Sequence, residues 1–120
     1  MTPNEKDILL KDLCMRLPYG VKVQVDNHCW VDFRKDIPVK LTLDNSYRIL
    51  LGVTLGYVKP CLFPLSSMTE EQRKEYHELL YNPENGINID YFDWCHKNHF
   101  DCRHLIPMGL ANDATGLNIY

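Results

Sequence analysis

The sequence predicts one α+β domain with a leading helix, a small curved antiparallel sheet or SH3/Sm-like barrel of four or five strands, and two or three carboxyl-terminal helices. Three patterns predict it. Apolar residues three and four positions apart open the chain, alternating stretches follow, and helical spacing returns after residue 67. A length of 120 residues, with 45% hydrophobic and 24% charged residues, is typical of a single globular domain covering residues 1–120.

The first helix is predicted over residues 4–17. Thr2 or Asn4 can cap its start, and Pro18 and Gly20 stop it. Its packing face is expected to carry five apolar residues, namely Leu9, Leu10, Leu13, Cys14 and Leu17.

Antiparallel strands are predicted over residues 21–63. Val21, Val23 and Val25 alternate with polar neighbours, and the same period of two recurs over residues 29–33 and 39–43. The more continuously apolar "YRILLGVTLGYVKPCLF" is expected to add one or two strands, with Gly52 and Gly56 at a bulge or sharp bend.

Helices are predicted over residues 67–110, and residues 111–120 are expected to form a tail. Ser67 and Glu70, three positions apart, match a capping box for the first of these helices. In the next helix Trp94 is expected to point inward. Asp101 then caps a short turn, while Phe100 fills the joint between the helix and that turn.

The segment "DWCHKNHFDCRHL" suggests zinc, because imidazole nitrogen and thiolate sulfur are its usual ligands. The spacing, however, lacks two ligand pairs separated by a loop, and a helix would turn His96 about 100° away from Cys95. We therefore expect structural or surface histidines, with no metal and no other cofactor. If a metal were bound, the candidate ligands would be His96, His99, Cys102 and His104.

Enzymatic chemistry finds little support in the sequence. Cys95 and His99 could form a nucleophile and base, with Asp93 or Asp101 orienting the imidazole, but one helix seldom supplies the cleft and oxyanion donors as well. Phosphate-binding glycine loops, the nucleophile elbow G-x-S-x-G and the zinc motif H-E-x2-H do not occur. No catalytic residue is predicted.

Charge and cysteine content indicate the setting. The net charge of −3 and the scattered basic residues argue against tight non-specific nucleic-acid binding. The amino terminus lacks a secretory layout, no apolar run approaches the roughly 18 residues of a membrane span, and five dispersed cysteines are typical of buried reduced thiols. We expect a cytoplasmic protein with no membrane partner.

A partner surface is predicted on the sheet. Six aromatic and basic residues there could stack bases and contact phosphates, namely Trp30, Tyr47, Tyr57, Lys22, Lys40 and Arg48. Trp30 points to the face opposite Cys29 and Val31, so it is left either for a partner or for coverage by the first helix, and coverage is favoured.

Three stretches, "LLKDLCMRLPYGVKV", "VKPCLFPLSSMTEEQ" and "FDWCHKNHFDCRHLIPMGLA", resemble a family of small uncharacterised bacterial proteins that often occur in prophages or other mobile elements. The resemblance implies no known activity, cofactor or partner. It also implies leucine and tyrosine at the positions of Cys95 and Cys102, so thiols there are not expected to be a family requirement. Shared residues from His99 to Leu110 are interpreted as a structural lock, with Arg103 in a buried ion pair or partner contact.

The function expected from these observations is that of a non-catalytic, protein-binding accessory module of phage or mobile-element origin. One alternative is a nucleic-acid-binding module that uses the sheet face. A second alternative is a small zinc-binding protein or metal-assisted enzyme.

Overall fold

The computed structural model describes residues 2–26, 37–81 and 89–120, and within them it has four α-helices and four strands. The helices and strands follow in the order α1 (Pro3–Arg16), β1 (Lys22–Val25), β2 (Val39–Lys40), α2 (Ser46–Leu55), β3 (Val58–Leu62), α3 (Glu70–Tyr81), α4 (Ile89–Lys97) and β4 (Asn112–Asp113). The predicted α+β class is confirmed. None of the helices in the described residues is long and apolar enough to cross a membrane.

The sheet is open and mixed, with the strand order β2-β1-β3-β4. Strand β1 pairs antiparallel with β2 and β3, whereas β4 pairs parallel with β3. The barrel form of the prediction is therefore wrong. Four strands, two of them only two residues long, leave the sheet with free edges rather than closing it.

One hydrophobic core lies on the inner face of this sheet. Val21, Val23 and Val25 are fully buried, as the period of two predicts. They share a cluster with residues of α1 and α2, including Leu9, Leu13, Ile49 and Val53. Cys14, assigned to the packing face of α1, is exposed instead, and the buried positions beside the leucines belong to a polar pair, Asp12 and Arg16.

The prediction of strand over residues 46–55 is wrong, because this stretch forms α2. The sequence "SYRILLGVTL" is apolar at most positions, and such a run has no periodicity that separates strand from helix. Gly56 ends the helix in the left-handed conformation with φ of 85°, and its N–H bonds back to Gly52 and Val53. Gly56 is thus a helix terminator rather than a strand bend.

The capping box of α3 lies two residues beyond the predicted one. Thr69 Oγ1 accepts a hydrogen bond from the Gln72 N–H at 3.2 Å, and Gln72 Oε1 accepts one from the Thr69 N–H at 2.9 Å. Ser67 instead donates to the Pro64 carbonyl, which closes a 3-10 turn, and Glu70 is the first residue of the helix. Thr69 competes successfully with Ser67 for the cap because residues 65–67 are used by that turn.

The expected tail over residues 111–120 is part of the packed structure. Strand β4 extends the sheet, and Ala114 is fully buried and donates its N–H to the Leu62 carbonyl. The Tyr120 hydroxyl accepts from the Lys22 N–H at 2.8 Å and donates to the Cys61 carbonyl at 2.6 Å. The segment therefore pairs with β3 at the edge of the sheet, a role that its polar composition did not indicate.

Candidate functional site

Six charged, imidazole and thiol side chains from two distant parts of the chain meet on the buried side of α1. Helix α1 supplies two of them, α4 supplies two, and the loop after α4 supplies the last two. We call this group the arginine–thiol cluster, and its members are Asp12, Arg16, Cys95, His96, Cys102 and Arg103. Arg16 and Asp12 are fully buried, and Cys102 is partly buried.

One carboxylate holds both guanidinium groups of the cluster. Arg16 Nε donates to Asp12 Oδ2 at 2.7 Å, and Arg103 Nη1 donates to Asp12 Oδ1 at 2.7 Å. Arg16 Nη2 also donates to the Phe100 carbonyl at 2.8 Å. The predicted ion pair of Arg103 is therefore present, and it joins the loop after α4 to the first helix.

The sulfur of Cys102 lies against both arginines. Its Sγ is 3.6 Å from Arg103 Nη1 and 3.9 Å from Arg16 Nη2. Cys102 also packs against the buried cluster of side chains that contains Cys95. Arg103 Nη1 also lies 2.8 Å from His96 Nε2, and because a guanidinium can only donate, His96 Nε2 must be the acceptor and the ring is neutral at that nitrogen.

This environment separates the acidities of the two thiols. The pKa of Cys102 is lowered to about 5, mainly by the neighbouring Cys95 thiol and also by His96 and the charges of Arg16 and Arg103, against the opposing effect of burial. The pKa of Cys95 is raised by the same interaction with Cys102 and by burial. These directions favour the thiolate form of Cys102 and the thiol form of Cys95.

Arg16 keeps one unused donor. Its Nη1 is buried and has no hydrogen-bond partner among the described residues. An unsatisfied buried donor costs about 1–3 kcal/mol, so such groups are few in folded proteins and often mark sites of function.

A groove of about 300 Å³ borders the exposed side of the cluster, and it is lined by Met15, Phe92, Asp93, His96 and Arg103. Arg103 lies over the Phe92 ring, with its guanidinium carbon 5.0 Å from the ring centre. Arg103 is therefore in contact with both this groove and the Cys102 sulfur.

The structure does not bring the four candidate zinc ligands together. No group of three or more histidine, cysteine, aspartate or glutamate side chains suited to a metal is present among the described residues, which include all four candidates. His96 bonds to Arg103, His99 stacks on Tyr120 with ring centres 3.7 Å apart, and His104 is exposed. His99 and His104 both adopt positive φ.

Trp94, Phe100 and Asp101, which the sequence assigns structural roles, make packing or hydrogen-bond contacts. Trp94 stacks on Phe100 with ring centres 5.4 Å apart, and its Nε1 donates to Glu75 at 2.8 Å. The Asp101 carboxylate is buried and accepts from the N–H groups of Leu105 at 2.7 Å and Ile106 at 2.8 Å. Asp101 therefore fixes the turn after α4, although no helix follows it.

A second feature is a set of exposed apolar side chains on α2 and the turn before it. Leu43 lies in that turn and Tyr47, Leu51 and Leu55 follow on the helix at a spacing of four, and they are 80%, 78%, 40% and 53% exposed. We call them the α2 ridge. Beside Leu43 a groove of about 550 Å³ runs along residues 17–20 and 40–43, and Lys40 contributes to its wall.

The predicted partner surface is not one surface. Tyr47 and Arg48 lie on α2, which packs on the inner face of the sheet, whereas Lys22 and Lys40 are directly opposite each other on the outer face. Tyr57 follows α2 and lines a small cleft with Gln24 and Lys59. Trp30 lies outside the described residues.

Two members of the cluster, Asp12 and Arg16, were not predicted. A usable signal was present, because they follow Leu9 by three and seven positions and so share its buried face. An acidic and a basic residue four apart on the apolar side of a helix indicate a buried pair rather than a solvent-facing one.

Comparison of the chain with protein-family models, with curated proteins and with solved structures gave no significant match, so the cluster and the ridge are interpreted from their chemistry alone.

Proposed function

We propose that the protein is an intracellular interaction module that binds an acidic, amphipathic segment of a partner protein along the α2 ridge and in the groove beside it. The observation that carries this proposal is the exposure of four large apolar side chains, three of them on consecutive turns of α2 and Leu43 in the turn before it. An accessory role in a phage or mobile element is proposed as well, and it rests only on the resemblance of three sequence stretches.

The composition of α2 supports binding by a protein. Its ten residues include one charged side chain, Arg48, and apolar residues occur on the outer side as well as on the buried side with Ile49 and Val53. A helix that is apolar all round is normally covered by protein or lipid. A contiguous exposed apolar strip of this kind is typical of a protein–protein contact.

The neighbouring groove defines the chemistry of the partner. Leu17 and Leu41 belong to its lining, and Leu43 stands at its edge, so it suits an apolar side chain. Lys40 is exposed in the same wall and forms no ion pair within the described residues. A carboxylate next to the apolar anchor of a partner segment would complement that ammonium group.

Selection of random 16-residue peptides displayed on phage tests the proposal. We expect enrichment of sequences with apolar residues at helical spacing and at least one flanking carboxylate. The synthesised consensus should bind the Leu43→Ser/Tyr47→Ser double variant about tenfold or more weakly, since central apolar anchors contribute at least 1–2 kcal/mol each. Lys40→Gln should weaken binding less and reduce its dependence on salt.

Leu117→Ser is the matched control, because Leu117 is 52% exposed and follows β4 at the edge of the sheet opposite β2. It should leave peptide binding unchanged. Failure to enrich any consensus, or equal binding by the double variant and the wild type, would contradict the proposal. A dimer in light scattering that the double variant abolishes would assign the ridge to self-association instead.

Nucleic-acid binding is a second candidate function, favoured by the outer face of the sheet. Lys22 and Lys40 are direct cross-strand neighbours, and Lys59 lies on the same face through its pairing with Gln24. Like charges placed opposite each other destabilise a sheet by up to about 1 kcal/mol, and a bound phosphate would offset that repulsion.

Anisotropy of a labelled single-stranded oligonucleotide tests this second function. Binding should weaken steeply with salt, and Lys22→Gln/Lys40→Gln should reduce the slope of log K against log salt by roughly 1.4, which corresponds to two phosphate contacts. Asp7→Asn, which changes an exposed charge on α1, is the control. Binding that is absent at low salt would remove this candidate.

A further inference from the structure

We propose that Cys102 and Cys95 form a redox site, in which a small hydroperoxide oxidises the Cys102 sulfur and Cys95 then joins it in a disulfide. This inference is independent of the proposed binding function. It starts from the contact of one partly buried sulfur with two guanidinium groups, beside the buried cluster that holds a second thiol.

Charge balance within the cluster supports a thiolate. Arg16 and Arg103 bring two positive charges to a largely buried region, and Asp12 supplies one negative charge. A buried charge without a counter-ion costs several kcal/mol, so a second anion beside the two arginines would stabilise them. The Cys102 sulfur touches both guanidiniums and is the group placed to supply it. The lowered pKa of Cys102 agrees with this assignment.

The other described cysteines lack these surroundings. Cys14 is exposed on α1, and Cys61 is buried in β3, where desolvation raises the pKa of its thiol. Only the thiolate form attacks a peroxide, and guanidinium groups stabilise it together with the negative charge that develops on the leaving oxygen. Among the described cysteines, Cys102 is therefore the one prepared for oxidation.

The two steps balance as follows. The Cys102 thiolate attacks the terminal oxygen of the hydroperoxide, an S–O bond forms, the O–O bond breaks, and the alkoxide or hydroxide leaves and takes up a proton. The sulfur is oxidised by two electrons and the peroxide is reduced. Next the Cys95 sulfur attacks Cys102, an S–S bond forms, the S–O bond breaks, and the hydroxyl leaves with the Cys95 proton as water. An external dithiol then reduces the disulfide.

The second thiol and a guanidinium donor both lie near Cys102. Cys102 packs against the buried cluster of side chains that contains Cys95, so the second thiol is close to the sulfur that is oxidised. The Arg16 guanidinium contacts that sulfur through Nη2, while its Nη1 is buried and has no hydrogen-bond partner among the described residues. The same guanidinium charges repel a metal cation, which separates this site from a zinc-binding thiol pair.

Alkylation by iodoacetamide, followed by tryptic mass spectrometry, gives the first test. Trypsin cleaves after Lys97 and Arg103, so Cys95 and Cys102 fall on different peptides. The alkylation rate of an ordinary free thiol should rise roughly a hundredfold from pH 6 to pH 8, because its pKa is about 8.5. Cys102 should change less than about twofold, since its pKa of about 5 leaves it ionised throughout.

Two variants separate reactivity from folding. Arg103→Gln should move the midpoint of the Cys102 alkylation profile upward, and Arg103→Lys should restore most of the shift, because it keeps the charge. In Cys95→Ser, or Cys95→Ala if the serine is not tolerated in the core, hydrogen peroxide should leave a sulfenic acid on Cys102 that dimedone traps. In the wild type the same treatment should link the two peptides, and a dithiol should release them.

Three results would overturn the proposal. The first is an alkylation rate for Cys102 that rises with pH in parallel with that of exposed Cys14. The second is an absence of dimedone label on Cys102 in a folded Cys95 variant, with folding checked by circular dichroism. The third is a wild-type disulfide that links Cys102 to a cysteine other than Cys95.

Discussion

Asp12 is the acceptor on which both guanidinium groups of the arginine–thiol cluster converge. Its two oxygens each receive a hydrogen bond of 2.7 Å, one from Arg16 and one from Arg103. Such buried charge pairs do not raise stability much over an apolar core, but removal of one partner leaves the others uncompensated. The Asp12 carboxylate therefore contributes to stability mainly because its removal would leave two guanidinium charges without their counter-ion.

Asp12→Asn should lower the free energy of unfolding by about 3–5 kcal/mol, because two buried guanidiniums would keep their charge without the anion between them. Urea denaturation measures the change. Asp7→Asn is a matched control on the same helix, since Asp7 pairs with Lys11 at the same spacing but both side chains are largely exposed. It should change stability by less than about 0.5 kcal/mol. Equal effects of the two substitutions would contradict a buried charge centre.

His99 is expected to make the protein less stable in mild acid. Burial is the main cause that lowers its pKa from the ordinary 6.5 to about 4, and the charge of Arg16 adds to it. Between these values the unfolded chain binds a proton that the folded protein excludes, so stability is complete above pH 6.5 and is lost as the pH falls toward 4.

His99→Asn isolates this effect, because asparagine tolerates the positive φ of 62° and does not titrate. Over that pH range the wild type should lose roughly 1–3 kcal/mol more than the variant, as measured by urea denaturation at each pH. The loss of stacking on Tyr120 should lower the stability of the variant by an amount that does not depend on pH. Parallel pH curves would show that His99 is not the group responsible.

The capping hydrogen bonds between Thr69 and Gln72 determine where helix α3 begins. Thr69→Ala should destabilise the protein by about 1 kcal/mol, since Thr69 caps the helix reciprocally with Gln72. Ser67→Ala should have a smaller effect, because the Ser67 hydroxyl closes only an exposed turn. Thermal or urea unfolding of the two variants checks the order, and a reversed order would place the cap at Ser67.

Whether a helix or a strand can be predicted from the sequence depends on how clear the periodicity of its apolar residues is. Clear spacing in α1 and strict alternation in β1 specify both, because only one face of each is apolar or buried. The stretch from Ser46 to Leu55 offers no such contrast, and its β-branched residues favour a strand locally. Its helix is decided by packing, since Ile49 and Val53 enter the same core as β1 and α1.

The arginine–thiol cluster is a property of the whole molecule. Arg103 and Asp12 are separated by 91 positions, and Arg16 and Cys102 by 86. Spacing rules apply within one element, so they could relate Cys95 only to nearby residues such as His99, whereas tertiary folding places Cys102 against Arg16 of α1. Sequence alone could mark the segment 93–105 as rich in reactive groups, but it could not select the sulfur that two arginines contact.

Residues 111–120 are expected to be as necessary to the whole fold as a core strand. Deletion of this segment removes β4 and the buried Ala114, and it breaks the ring contact of Tyr120 with His99 and the bonds of Tyr120 to both β1 and β3. We expect it to lower the free energy of unfolding by more than about 3 kcal/mol, whereas Tyr120→Phe, which keeps the ring, should lose only about 1 kcal/mol. Urea denaturation gives both values. If the shortened chain unfolded at the same urea concentration as the full one, the segment would be a dispensable tail, and its contacts with the sheet would contribute nothing to the cooperative unit.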